Sequence, residues 1–272
     1  VVWNPETEQI VGDAEAARAW VGPHTRVVDG QGATLLPGLI DSHFHLGWGA
    51  LDYEDALLEN VHSYDQLART LRGYMADHPD KPWIKGQRLP YDVLGGHRML
   101  TRHDLDAVEA QRPLALMSSD YHTLWCNTRA LELAGVLHGA QTAPGSEIVM
   151  GEDGLASGQI NERDAFSLVL NAIPAPSAAE KGRLLRLALA EAASWGITSV
   201  HNMNGDGEQL AHYASVAARG DLSLRVYMAY SVRPHTPFEA LAVEAAALAE
   251  QYAEGLVRCR SVKYFMDGVI DS

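Results

Sequence analysis

Cysteine is nearly absent: Cys126 and Cys259 are the only two in 272 residues. Two cysteines cannot staple a chain this long, so a disulfide framework is excluded and a reduced, cytoplasmic setting is the default expectation. Neither has a second cysteine at the spacing of a structural zinc knuckle. Long apolar runs are missing too. No stretch of 18 or more apolar residues occurs, so no membrane-spanning helix and no membrane partner are expected. Positive charge is scarce, with 21 Lys and Arg against 35 Asp and Glu and a formal net charge of −14. Such a surface repels polyanions, so nucleic acid is set aside as a partner. The first residues, Val1-Val2-Trp3-Asn4-Pro5, lack the basic and apolar regions of a signal peptide. They also lack an initiating Met, so the sequence is expected to begin slightly inside the natural protein.

What is present suffices for a large core. Hydrophobic residues make up 47% of the chain, enough for one large or two smaller domains. Thr25-Arg26-Val27-Val28, bounded by Asp29-Gly30, predicts a small β element within residues 1–34. The apolar run Thr34-Leu35-Leu36-Pro37-Gly38-Leu39-Ile40-Asp41 predicts a buried strand leading into His43. From Ser177 onward the pattern alternates. Helices are predicted at 177–195, 208–219 and 236–254, the first two stopped by Gly196 and Gly220. Strands are predicted at 197–201, 222–230 and 257–265. This alternation implies βαβ units and a parallel sheet. Counting the strand at 35–42 first gives four strands of barrel type. The residues between do not alternate. Ser63-Tyr64-Asp65-Gln66 is a capping box opening a helix to about His78. A short strand near Trp83, an apolar strand at 114–118, a helix ending at Gly135 and a hairpin turning at Asp153-Gly154 follow. The expected organisation is therefore an N-terminal element at 1–34, a main domain at 35–59 with 177–272, and an insertion at 60–176.

His43-Phe44-His45 carries the first chemical signal. Strand residues two apart point to one face, so the two imidazoles project together and Phe44 points away. Two neutral imidazoles on a rigid edge suit a divalent metal such as zinc. Taken alone, the pair reads more readily as two satisfied histidines near a turn, since short motifs match by chance. Lys263 is the second signal. The strand count places it near the C-terminal end of the fourth strand, the face where barrel active sites sit. Val257, Cys259, Ser261, Lys263 and Phe265 share one face by alternation, which makes Lys263 an inward candidate. An amine withdrawn from water holds its proton less tightly and becomes a nucleophile. A plain surface lysine is the commoner fate. His62, His78, His97, His103 and His138 lack partners at ligand spacing and read as surface or loop residues.

Leu36-Pro37-Gly38-Leu39-Ile40-Asp41-Ser42-His43-Phe44-His45-Leu46 resembles the first-strand signature of the amidohydrolase superfamily, in which PG-[LF]-[IV]-D-x-H-x-H leads from a β-sandwich into a (β/α)8 barrel. Within the insertion, Leu105-Asp106-Ala107-Val108, Arg112-Pro113-Leu114, Asp120-Tyr121-His122, Trp125-Cys126-Asn127, Ala130-Leu131 and Ala134-Gly135-Val136 follow the order of the amidohydrolase-3 branch, which includes N-substituted formamide deformylases. Gly196-Ile197-Thr198-Ser199-Val200 and Val262-Lys263-Tyr264-Phe265-Met266-Asp267-Gly268 continue it. The resemblance covers essentially the whole chain, as the N-terminal part of such a protein.

The resemblance implies an α/β fold. It has the first four strands of a (β/α)8 TIM-type barrel, an N-terminal β-sandwich element and an α+β insertion after the first strand. It implies hydrolysis of an amide-type C–N bond in a small N-acyl or N-formyl compound through a metal-activated water. The expected cofactor is one or two divalent ions, zinc first among them, with His43 and His45 as ligands. Lys263 is then carboxylated by CO2, and its carbamate gives an oxygen to each of two metals. His122 bonds the substrate or the tetrahedral intermediate, and Trp125, Asn127 and His201 contact the substrate. The bland reading of His122, Trp125 and Asn127 is a locally satisfied polar cluster. Further histidines after strands five and six and an aspartate base after strand eight fall beyond Ser272, so this chain is expected to be catalytically incomplete. Two departures bear on the pocket. Asn202 stands where the branch commonly carries Asp, and Gln87-Arg88-Leu89-Pro90-Tyr91-Asp92 replaces a tryptophan after Trp83-Ile84-Lys85-Gly86. The alternatives are a lactone or cyclic amide hydrolase, or an inactive fragment or half-barrel that folds with a partner. A small-molecule substrate is the expected partner, and homo-oligomerisation is left open.

Overall fold

The computed structural model describes residues 2–4, 9–11, 13–96, 98–232 and 237–264. His97 and the Phe265-Met266-Asp267-Gly268 stretch of the second motif lie outside them. A short antiparallel pair, β1 (Val2–Asn4) and β2 (Gln9–Val11), precedes helix α1 (Ala14–Arg18). Residues 21–38 form no strand and lie exposed. The β element expected at 25–28 is therefore a correction. Val27 and Val28 are 71% and 72% exposed, and a strand with no partner has nothing to bond its edges.

Next come β3 (Leu39–Phe44), α2 (Leu46–Leu51), β4 (Ala56–Leu57), α3 (Tyr64–Asp77), β5 (Ile84–Leu89) and α4 (Arg102–Asp106). Then follow β6 (Leu114–Ser118), β7 (Thr123–Cys126), α5 (Thr128–Leu133), β8 (Glu147–Met150), β9 (Ala156–Asn161) and α6 (Arg163–Leu170). The described chain ends with α7 (Ala178–Ser194), β10 (Ile197–Asn202), α8 (Gly207–Ala218), β11 (Arg225–Ser231), α9 (Phe238–Gln251) and β12 (Val257–Lys263).

β3, β10, β11 and β12 form a four-stranded parallel sheet in chain order. Helices cover one face. Val200, Val226, Met228 and Cys259 pack there with Leu185, Leu189, Leu210, Tyr213 and Leu241. β3 is not the buried strand expected. It sits at the sheet edge with β10 as its one neighbour, and Leu39 and Ile40 are 57% and 65% exposed. The alternation used to place Lys263 also needs correction. The β11–β12 ladder pairs Met228 with Cys259 but Ala229 with Ser261, a register shift that inserts Arg260. Val257 and Cys259 consequently join the helix-side core, while Ser261 and Lys263 fall on the other face, beside Ala229 and Ser231. Lys263 reaches the helix-free face because of the bulge, not because of simple alternation.

β4, β5, β6, β7, β9 and β8 form a mixed six-stranded sheet, parallel across β4–β5–β6 and antiparallel beyond. Both its faces are covered. Leu114, Leu116 and Trp125 pack with Leu67 and Leu71 of α3 on one side. Ala115, Leu124 and Cys126 pack with Leu131 and Phe166 of α5 and α6 on the other. The uninterrupted apolar run of β6 follows from that double burial. No helix among the described residues is long and apolar enough to cross a membrane.

Candidate functional site

His43 and His45 close the first strand of the parallel sheet. The β3–β10 ladder shifts register between Asp41 and Phe44, and the Asp41 carboxylate accepts the His43 N–H there at 2.9 Å. Phe44 packs against the helix-side core, while His43 is exposed. His45 occupies the N-cap position of α2, yet its ring makes no capping bond. The half-buried ring instead places Nδ1 against Oδ1 of Asn204 and stacks on Trp48, with centroids 5.2 Å apart and planes 12° from parallel. The His43 and His45 ring centroids lie 5.3 Å apart. Two imidazoles bound to one zinc at about 2.1 Å near the tetrahedral angle have centroids roughly 5 Å apart, and the pair has that spacing. Among the described residues no group of three His, Cys, Asp or Glu is assembled around an ion-sized space. Of the three expected ligands, His43 and His45 are the two that lie together.

The other expected residues are dispersed. Lys263 is half-buried at the end of β12, on the opposite edge of the sheet from β3, with β10 and β11 between. His201 is exposed near the end of β10, its ring 5.6 Å from that of Tyr227. Trp125 is 1% exposed in the insertion core, edge-on to Tyr91 at 5.2 Å. The Asn127 carboxamide is fully engaged. It caps α5 at Ala130 N, accepts from Leu114 N, and donates to the carbonyls of Glu109 and Arg112. With no exposed surface and no bonding capacity left, Asn127 builds the fold in this structure.

His122 sits in the β6–β7 turn, with Nδ1 3.0 Å from Oε1 of Glu162. Its surroundings are strained and polar. Arg88, Tyr121 and Glu162 have φ of 62°, 66° and 67°, a region costing side-chain-bearing residues of order 1–3 kcal/mol each. All three lie at one end of the six-stranded sheet, where Leu89 pairs with Ser118 and Thr123 with Asn161. Asp120 anchors that end. Burial pushes its carboxyl up, but hydrogen bonds from Ser118, the His122 N–H and Tyr91 outweigh burial and hold it below the usual carboxylate range. Arg163, the first residue of α6, sets its guanidinium 5.1 Å from the Trp48 ring centroid. A chain of contacts thus runs from His45 through Trp48 to the strained end of the insertion.

A second joint ties α2 to β5. Lys85 Nζ donates to Asp52 at 3.0 Å and to Asp55 at 2.7 Å, and Gln87 Nε2 donates to Asp55 at 3.0 Å. Burial lowers the Lys85 pKa, but the charges of Asp55 and Asp52 outweigh it and leave the amine strongly protonated. Sequence reading missed Asn204, Trp48, Glu162 and Arg163. A signal existed for the first: His201, Asn202 and Asn204 cluster at a strand's C-terminal end, where α/β sites are built.

The sequence profile of the amidohydrolase family matches residues 26–272. The chain is 26% identical over 255 residues to YtcJ of Bacillus subtilis, provisionally named an amidohydrolase, covering 91% of this chain and 46% of that protein. It is 29% identical over 160 residues to the N-substituted formamide deformylase of Arthrobacter pascens, covering 57% of this chain and 29% of that protein. The crystal structure of an uncharacterized metal-dependent hydrolase from Pyrococcus furiosus superposes with a TM-score of 0.57 at 22% identity, over 86% of this chain and 44% of that one. That likeness concerns the fold. The chain spans less than half the length of these relatives.

Proposed function

The chain belongs to the amidohydrolase family, and from that premise we propose that it carries the first metal-binding strand of a hydrolase that cleaves an amide-type C–N bond in a small N-acyl or N-formyl compound. The observation that carries the reading is the pair His43 and His45, 5.3 Å apart between ring centroids at the C-terminal end of β3. Bound there, a divalent cation, zinc by donor chemistry, supplies Lewis acidity that polarises a carbonyl and acidifies water. This chain's residues do the holding and positioning. His43 and His45 offer imidazole nitrogens, and Trp48 fixes the plane of the second ring. Lys263 lies on the helix-free face of the sheet. Its amine, on adding to CO2 with loss of a proton, would become a carbamate able to offer an anionic oxygen to the metal. His122, with Nδ1 3.0 Å from Glu162 Oε1, would hydrogen-bond the substrate or the tetrahedral intermediate through Nε2, as a donor only in its imidazolium form. The four parallel strands are read as the first half of a (β/α)8 barrel, with 60–176 as its insertion.

Metal analysis of the protein should find one or two divalent ions per chain, and His43→Ala with His45→Ala should remove at least one. Unchanged metal content would sink the ligand assignment. A screen of N-formyl amines, N-acyl amines and lactones in the presence of zinc decides the bond. Turnover of lactones alone would replace the amide reading. A second reading is favoured by the exposed Leu39 and Ile40 of β3: a half-barrel that covers this face with a partner copy or chain. Light scattering showing a stable dimer supports it, and a monomer refutes a partner copy.

A further inference from the structure

We infer that Asn204 is a positioning residue for His45, fixing the proton of the neutral ring on Nδ1 and leaving Nε2 as the lone-pair nitrogen. The inference rests on His45 as a metal ligand for its purpose, but not for its geometry. Asn204 follows β10 and is 4% exposed. Its Oδ1 faces His45 Nδ1. A carboxamide oxygen only accepts, so the nitrogen opposite must carry the hydrogen, and a neutral imidazole has one N–H.

The segment bearing Asn204 is held from several sides. Met203 N–H donates to Phe44 O at 2.8 Å, tying it to the end of β3. Asn202, fully buried, donates from Nδ2 to Asn204 O and accepts the Leu46 N–H at 2.7 Å, so it braces the backbone just after His45 as well. Gly205 N–H donates to Ser231 Oγ at 3.0 Å, and Ser231 N–H returns to Gly205 O at 2.9 Å. Gly205 has φ of 157°, a conformation side-chain-bearing residues rarely adopt, and a Cβ there would also displace the ends of Gln209 and Met228. The acceptor is therefore in place before any ligand arrives, and Trp48 stacking fixes the ring plane it acts on. Partners of this kind hold a ligating histidine's tautomer, and losing one weakens metal binding about 10–100-fold.

The test reads the tautomer directly. Long-range proton–nitrogen NMR of the metal-free protein, at a pH where His45 is neutral, should show Nδ1–H in the wild type and in Asn204→Asp, which keeps an acceptor oxygen. Asn204→Leu should shift the ring toward Nε2–H with unchanged far-UV circular dichroism. Zinc titration should then show the 10–100-fold loss for Asn204→Leu. Nε2–H in the wild type overturns the inference, and so does a tautomer that Asn204→Leu leaves unmoved. If Asn204→Leu does not fold, the wild-type tautomer alone decides. A wild type with the Nδ1–H tautomer but no zinc affinity refutes the metal reading and leaves the positioning role standing.

Discussion

β6 and β3 are both short strands with apolar stretches, and their surroundings treat them oppositely. β6 is buried at every position. It has a strand on each side and an apolar cluster against each face. β3 has one neighbour and helices on one side, and Leu39 and Ile40 face solvent. The mixed sheet is closed and holds the fold together. The parallel sheet is half open, and Lys263, proposed as a ligand, lies on its open side. The contrast predicts where substitutions are felt, and it breaks if the two sheets respond alike.

The largest effect is expected at Trp125. Replacing this 1% exposed side chain by Ala should cost about 3–5 kcal/mol, from lost burial and the cavity left behind. Urea denaturation measures it, and a loss below about 1 kcal/mol would mean that the closed sheet is not a packed core. The joint between the sheets comes next. Asp55, with a side chain 4% exposed, faces Lys85 at 2.7 Å. Lys85→Met leaves both Asp55 and Asp52 without their cation and should cost about 3 kcal/mol, whereas Lys85→Met with Asp55→Leu and Asp52→Asn, which removes all three charges, should cost much less. Equal losses in the two proteins would show that packing, not the unpaired charge, sets the cost.

A smaller, pH-dependent effect belongs to the closed half. Hydrogen bonds from Arg98, then from Thr101, hold the Asp104 carboxyl down at about 2 against a usual 3.8. A depressed acid stabilises the fold above its unfolded pKa and loses that contribution as pH falls through its folded one. Stability should drop between about pH 4 and pH 2. The amplitude is about 1 kcal/mol, because Arg98 is more than half exposed and solvent screens the pair. Asp104→Asn should remove that slope, measured by thermal melts across the range.

Regular elements were legible in the sequence because burial writes a period into it. The helix expected at 177–195 is α7 (Ala178–Ser194), with Ser177 capping it, and the apolar strand at 114–118 is β6. The helix after Ser63 begins and ends within a residue of expectation, with Ser63 Oγ accepting from Gln66 N. What failed lacks such a period. A bulge at Arg260 inverts the faces of β12 without any change in composition. The run 34–41 is apolar, yet exposure there depends on what lies against it, which local sequence does not encode. For the proposed site, His43 and His45 were singled out because two histidines on a strand form a pattern. Asn204 was not, because its role comes from the fold of a loop between β10 and β11 against the end of β3.

The smallest stability effect is the one that defines the open half. Leu39 is 57% exposed and His43 also faces solvent. Leu39→Ala and His43→Ala should each change stability by no more than about 0.5 kcal/mol, as surface substitutions do. The two should still differ from each other. His43→Ala should lower zinc binding by removing one of two paired donors, while Leu39→Ala leaves it intact, both read by metal titration. A loss above 2 kcal/mol at Leu39 would mean that its face is covered in solution, which is what the half-barrel with a partner requires. The comparison of the two sheets would then describe one chain alone, and the open face would be an interface.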